Sequence, residues 1–203
     1  MKKAAFSNTP PTEEKSWEQL WAPYSENIYR SVLAQIKPDD VVLEIGAGDL
    51  RLACQLSKAA RKVYAIEIHG SVMSNHSDYM QPLIKKTRIP ANLKIIIGDA
   101  RKIPFPDDIT VGVLLMRYCY HFQLYEEKLL ATHCTRLITN SRWRMGVETI
   151  NLLTRRIPYD RLPIGWYACW CGHTGFKPGE IESVTPEVMK TIHEVTGCPY
   201  CKD

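Results

Sequence analysis

The sequence predicts an α/β fold, doubly wound, with a mainly parallel sheet. Three observations carry this. Apolar, β-branched runs recur near 41–45, 62–68, 93–100 and 109–116, and segments of helical period lie after the first two. The run from Ile109 to Met116 is almost wholly apolar, as a strand buried on both faces must be. Strands that alternate with helices need crossover connections, which make neighbouring strands parallel.

The elements follow in order. Residues 1–15 are polar, contain Pro10-Pro11 and read as frayed. Trp17, Leu20, Trp21, Tyr24, Ile28, Val32 and Ile36 fall at helical spacings around Pro23. They predict two short covering helices that end before Pro38. Val41 to Ile45 is the first strand, Gly46-Ala47-Gly48-Asp49 its turn, and apolar positions 52, 53, 56 and 59 mark the next helix. Lys62 to Ile68 is the second strand, and a helix from about Ser71 to Lys85 follows, interrupted by Pro82. Leu93 to Ala100 and Ile109 to Met116 are the third and fourth strands. Leu124 to Ile138 reads as a helix, with Leu129, Leu130, His133, Cys134 and Leu137 on one side. Trp143 to Leu153 reads as the fifth strand. Beyond it, one helix is capped by Thr185, has Pro186 in its first turn and ends at Gly197. The apolar runs there are too few for an ordinary core. The expected division is a helical cover over 1–38, a main domain over 39–157 and a small C-terminal piece over 158–203.

Composition bounds the class. A chain of 203 residues, 45% hydrophobic and 24% charged, is an ordinary globular protein. No apolar run approaches the roughly 20 residues of a membrane span, so no membrane partner is expected. Met1-Lys2-Lys3-Ala4-Ala5 lacks a following apolar region, so no signal peptide is expected. Seven cysteines in a chain of this size suit thiols or metal ligands in a reducing, cytoplasmic setting. The net charge of +4 is concentrated in Arg136, Arg142, Arg144, Arg155, Arg156 and Arg161, against only Glu148 and Asp160 in that stretch. A patch for an anionic partner such as RNA would look like this. No aromatic RNA-binding pattern accompanies it, so a solvated arginine face is the reading adopted.

The glycine turn is where chemistry enters. Glycine has no Cβ, so backbone can approach a ligand closely, and the helix start leaves N–H groups without partners. This marks a nucleotide-like cofactor site. A dinucleotide would ask for Gly-x-Gly-x-x-Gly, whose third glycine packs helix on strand. Arg51 stands at that position and counts against NAD.

Glu44-Ile45-Gly46-Ala47-Gly48, then Glu67, then Gly98-Asp99-Ala100 resemble the class I S-adenosylmethionine-dependent methyltransferases. Val-Leu-Glu-Ile-Gly-Ala-Gly followed by Ala-Ile-Glu-Ile is similar to the ribosomal-RNA adenine dimethylase branch. The resemblance covers roughly 16–155 and implies a Rossmann-like fold and methyl transfer from S-adenosylmethionine. It implies that Glu44 orders water and the methionine amino group, and that Gly46, Ala47 and Gly48 pass the methionine part. It gives Glu67 both ribose hydroxyls and Asp99 the adenine amine, with Ile68, Ala100 and Met116 completing the site. The third glycine common in the family, two residues after Gly48, is Leu50 here.

The family's acceptor lies beyond strand four, where amino-methylating nucleic-acid enzymes carry Asn or Asp with a Pro-Tyr. This chain has Met116-Arg117-Tyr118-Cys119-Tyr120-His121-Phe122, without the asparagine and proline. The dimethylases' substrate is therefore not carried over, and the acceptor is read as an RNA base or a small molecule. Arg117 could hold an anion, Tyr118 could stack and His121 could act as a base, although His121 would serve equally as a hydrogen-bonded structural residue. Cys119 lacks a preceding proline and reads as a packed thiol.

Cys169-Trp170-Cys171 and Cys198-Pro199-Tyr200-Cys201 supply four thiolates, enough for a closed, structural Zn²⁺ site. Metal would explain how so little apolar sequence folds. The C-x-C spacing is the less common one, and His173 is a substitute ligand. Cys-Pro-Tyr-Cys also matches the glutaredoxin dithiol, but there it opens a helix and here it follows one. The adopted reading is a zinc-ribbon-like appendage on a methyltransferase. The rival is a non-catalytic zinc- and nucleotide-binding protein that acts through partners.

Overall fold

The computed structural model describes residues 24–70, 89–117, 119–142 and 146–201. The expected helices around Trp17 to Trp21 and Ser71 to Lys85 lie outside the described residues. Helix α1 is Glu26–Leu33, strand β1 Val41–Ile45, helix α2 Arg51–Ala59, strand β2 Lys62–Glu67, strand β3 Leu93–Ile97 and strand β4 Val111–Leu114. Helix α3, Phe122–Ala131, leads to β5, Arg136–Thr139, and β6, Glu148–Asn151. These six strands form one sheet in the order β3-β2-β1-β4-β5-β6. All neighbours are parallel except β5 and β6.

Alternation along the strands sends their side chains to two apolar layers. Val42, Ala65, Val113 and Ile138 pack with Tyr29 and Val32 of α1 and Leu52 and Leu56 of α2. Leu43, Ile66, Leu114 and Leu137 pack with Phe122, Tyr125 and Leu129 of α3. Helices thus cover both faces, which makes the sheet doubly wound. The register aligns Ile45 with Ile66 and Leu114, and Leu114 with Thr139. The carboxyl ends of β1, β2, β4 and β5 therefore form one edge, where an open α/β sheet binds its ligands.

Two expectations are corrected here. The helix expected to reach Ile138 stops at Ala131, and His133 turns the chain at φ +62. Cys134 N–H donates back to Leu129 O at 3.2 Å, and the β-branched stretch that follows pairs with β4 as β5. Leu129 and Leu137 do share a layer, but from a helix and a strand. The strand expected over 143–153 is the sixth one, Glu148–Asn151, and it runs antiparallel to β5.

The remaining chain forms a second sheet, ordered β7-β10-β8-β9. Its strands are β7 Ile157–Pro158, β8 Gly165–Cys169, β9 Thr174–Lys177 and β10 Ile192–Thr196. Leu162, Tyr167, Cys169, Val195 and Cys198 are its core. Thr185 caps helix α4, Pro186–Lys190, by accepting from Val188 N–H at 3.2 Å. That helix ends at Lys190 rather than at Gly197, because Ile192 to Thr196 extend as β10.

Buried charges tie the two sheets together. Arg142, its side chain 1% exposed, donates to both oxygens of Glu148 at 3.0 Å and of Glu194 at 2.8 and 3.0 Å. Arg156 pairs with Glu126 of α3 and lies 3.9 Å from Glu194. Burial pushes the Glu126 carboxyl up to about 7, against the pull of Arg156 and Arg142.

Candidate cofactor and metal sites

The turn after β1 is held from below. Gly46 N–H and Ala47 N–H both donate to Ile66 O at the end of β2, at 2.9 and 3.0 Å. Gly46 sits at φ +74, in the left-handed region that favours glycine. A Cβ there would lie 3.3 Å from Met116 Cε, so the turn passes close under the tip of β4. Leu50 takes the left-handed conformation at φ +64. That costs about 1–2 kcal/mol, which burial of its side chain to 1% exposure offsets.

Three carboxylates converge on this turn. Glu67 Oε2 accepts from Gly48 N–H at 2.8 Å, and its Oε1 accepts from His69 N–H at 3.0 Å. Asp49 is buried and accepts from Arg51 N–H at 3.1 Å and Nη2 at 2.9 Å. Glu44 is buried, and among the described residues its Oε2 has no partner. Burial, then Asp49 and Glu67, hold its pKa well above the usual carboxylate range. An orphaned, buried acid beside a turn with close backbone approach fits a cationic amino group that no described residue supplies.

The other expected residues flank this centre. Gly98 N–H donates to Glu67 O at 2.9 Å, which brings the Asp99 loop to the same edge. Asp99 accepts from Arg101 N–H, Nε and Nη2 at 3.0, 2.8 and 2.8 Å, and Arg101 draws its pKa down to about 2. Ile68 is exposed and Ala100 buried. Met116 is half-buried, and its carbonyl accepts from Ser141 Oγ at 2.7 Å. Arg117 lies over the Tyr24 ring at 5.1 Å. Tyr118 lies outside the described residues. His121 is exposed just before α3, with its ring edge-on to Tyr125 at 6.4 Å. Burial pushes the Cys119 thiol up to about 11, as in a packed thiol.

The four tail cysteines come together. Their Sγ atoms all lie within 4.8 Å of one another. Cys169 and Cys201 are 3.6 Å apart, Cys171 and Cys198 3.6 Å, and Cys198 and Cys201 3.9 Å. A disulfide would need about 2.05 Å. A tetrahedron of about 2.3 Å metal–sulfur bonds has edges of about 3.8 Å, so this set could hold a tetrahedral metal ion. His173 is outside the cluster and stacks on Tyr200 at 3.8 Å. The Cys169–Gly172 turn seats on the start of α3: Gly172, at φ +92, leaves no room for a Cβ, which would stand 3.0 Å from Phe122.

The arginine cluster is not one solvated face. Arg136 pairs with Asp40 at 2.5 Å, and Arg142 and Arg156 form the buried bridges above. Arg155 and Arg161 are exposed, and Arg144 lies outside the described residues. Sequence reasoning also missed Asn140. It follows β5 with 1% exposure and, among the described residues, no partner for either amide atom. Reading 124–138 as one helix hid it, although an asparagine closing a β-branched run was the available signal.

Comparison with known proteins adds the following. Residues 24–141 match the family model described as ribosomal RNA adenine dimethylase. A probable ribosomal RNA small subunit methyltransferase A of Methanosarcina acetivorans is 36% identical over 76 residues, covering 37% of this chain and 26% of the relative. An rRNA adenine N-6-methyltransferase of Bacillus licheniformis is 40% identical over 85 residues, covering 42% of this chain and 27% of the relative. The match thus spans about a quarter of these relatives' own length. The crystal structure of a dimethyladenosine transferase from Plasmodium falciparum superposes with a TM-score of 0.46 at 27% identity, over 57% of this chain and 41% of that one.

Proposed function

We propose that this chain, which belongs to the ribosomal RNA adenine dimethylase family, transfers a methyl group from S-adenosylmethionine to an RNA base. One observation carries the reading: acids at the ends of three successive sheet strands meet at one edge, and Glu44, buried like Glu67, has an oxygen without a partner among the described residues. Bound there, S-adenosylmethionine would supply an electrophilic methyl carbon on a sulfonium sulfur. Glu44 holds the amino group and its water, and Gly46, Ala47 and Gly48 line the methionine part with Met116. Glu67 turns from the Gly48 N–H to the ribose hydroxyls. Asp99 and Ala100 hold the adenine end, with Ile68 along its rim.

The relatives' names point to an adenine amine as acceptor. With S-adenosylmethionine bound, bonding of that nitrogen to the methyl carbon would break the carbon–sulfur bond and leave the electron pair on sulfur. The nitrogen then gives a proton to water. Arg117 holds a phosphate of the RNA, Tyr118 stacks on the base and His121 accepts the proton on its way out. The protein's own part is alignment and exclusion of bulk water.

The four cysteines would hold one Zn²⁺ in a closed, structural site, since four sulfur ligands leave no open position. We read 1–38 as cover, 39–157 as the cofactor domain and 158–203 as the zinc-bound piece, in a cytoplasmic protein. The deciding experiment incubates the purified chain with tritiated S-adenosylmethionine and cell extract, then separates RNA, protein and small molecules. Label in RNA, recovered as methylated adenosine, is expected. Label confined to small molecules, or no label, overturns the reading.

A further inference from the structure

Asn140 is nearly closed to solvent, and neither Oδ1 nor Nδ2 has a partner among the described residues. A native chain rarely leaves both ends of a buried amide unmet. Its neighbours are satisfied: Thr139 Oγ1 donates to Leu114 O at 2.7 Å, and Ser141 Oγ donates to Met116 O at 2.7 Å. The tips of β4 and β5 are therefore pinned together on either side of Asn140.

The register shows where the amide lies. Thr139 is beside Leu114 and Leu114 beside Ile45, so Asn140 stands level with Leu115 and Gly46. Alternation gives Asn140 the face of Ile138, which packs with Val42 and Val113, and Glu44 follows Val42 by two on that face. Two orphaned polar side chains, Glu44 and Asn140, thus share one face at one edge of the sheet. Leu115, Ala47 and Tyr24 belong to the apolar layer there, and the Arg117 guanidinium covers the Tyr24 ring.

A buried, unpartnered amide at the ligand-binding edge of the sheet suits a flat heterocycle with a donor and an acceptor side by side. Adenine has that edge, and asparagine pairs with it through two hydrogen bonds. We propose that Asn140 reads the edge of the acceptor adenine, a step that rests on the RNA-base reading above. Oδ1 accepts from the exocyclic amine, and Nδ2 donates to the adjoining ring nitrogen. The amide that is missing between Met116 and Phe122 is supplied one strand over, from β5. A dry setting strengthens both bonds, and a base extruded from its stack is the form that fits.

The test compares wild type with Asn140→Leu, which keeps the volume and removes the amide, and Asn140→Asp, which keeps Oδ1 and removes the donor. The probes are a short single-stranded RNA with one adenine and a twin carrying purine, without the amine, in its place. Wild type should prefer adenine by roughly 5- to 150-fold, and Asn140→Leu should bring the ratio near one, with Asn140→Asp in between. Affinity for S-adenosylhomocysteine should stay within about twofold, and Asn140→Leu should melt no lower than wild type. An unchanged ratio, no preference in wild type, a parallel loss of S-adenosylhomocysteine binding, or a lower melting temperature each overturns the assignment. A wild type that ignores S-adenosylhomocysteine but loses its adenine preference on Asn140→Leu would uphold this inference and sink methyl transfer.

Discussion

Replacing Glu44 by glutamine should stabilise the fold and weaken cofactor binding together. The carboxyl is buried, Oε2 lacks a partner among the described residues, and Asp49 and Glu67 add like charge. The amide side chain keeps the shape without the charge. Removing the charge from this buried, unpartnered group is worth about 1–3 kcal/mol. For a chain of this length each kcal/mol moves Tm by about 2–4 °C, so Glu44→Gln should melt about 2–12 °C higher at pH 8. The pH dependence has a definite sign. Burial raises the folded-state pKa, so the folded chain keeps the proton after the unfolded chain has lost it. Glu44 therefore costs nothing below about pH 4 and becomes destabilising as pH rises past the unfolded value of about 4.3. The advantage of the variant should vanish near pH 4 and grow toward pH 8. With the charge gone, S-adenosylhomocysteine should bind about 10- to 100-fold more weakly, the loss of one charge-assisted hydrogen bond. Thermal melts from pH 4 to 8, with and without that ligand, and calorimetry measure both effects. A variant that melts lower at pH 8, or binds the ligand as wild type does, would refute the reasoning.

Three further outcomes are expected. Glu67→Ala removes the acceptor for Gly48 and His69 N–H and should weaken S-adenosylhomocysteine binding by at least about 10-fold; calorimetry giving a change under threefold would count against it. Arg142→Ala leaves Glu148 and Glu194 facing each other without their common partner, and a broken buried pair costs about 3–5 kcal/mol. Chemical denaturation should show that loss, and one below 1 kcal/mol would mean the bridge is idle. Metal analysis should find about one equivalent of zinc per chain, with thiols that titrate only after chelation; less than half an equivalent with freely reactive thiols would exclude the site.

How much of this was legible depended on whether local pattern and burial agreed. β1, β2, β3 and β4 were readable because their runs are short, apolar and punctuated by Gly46 and Gly98, and the cofactor acids stand at fixed offsets from those ends. β5 was not, because Leu130, Cys134 and Leu137 happen to keep a helical spacing across the break. The break is a left-handed His133, a residue with no sequence rule against continuing a helix. β10 was swallowed by a helix for a similar reason: Thr185 and Pro186 announce the start clearly, whereas Gly197 ends whatever precedes it. The cysteines' convergence was inferable from chemistry alone. The arginines' partners were not, since Asp40 lies 96 residues from Arg136 and Glu194 lies 52 from Arg142.

The bridge through Arg142 and Arg156 bears on how such a chain could have arisen. Grafting the cysteine-bearing sheet onto a bare cofactor domain would strand Glu194 without cations. Deleting it would strand Arg142 beside Glu148 with half its ligands. Neither intermediate is a comfortable ancestor, so arginines, glutamates and appended sheet should be gained or lost as one heritable block. A relative that keeps the four cysteines should keep both arginines as well.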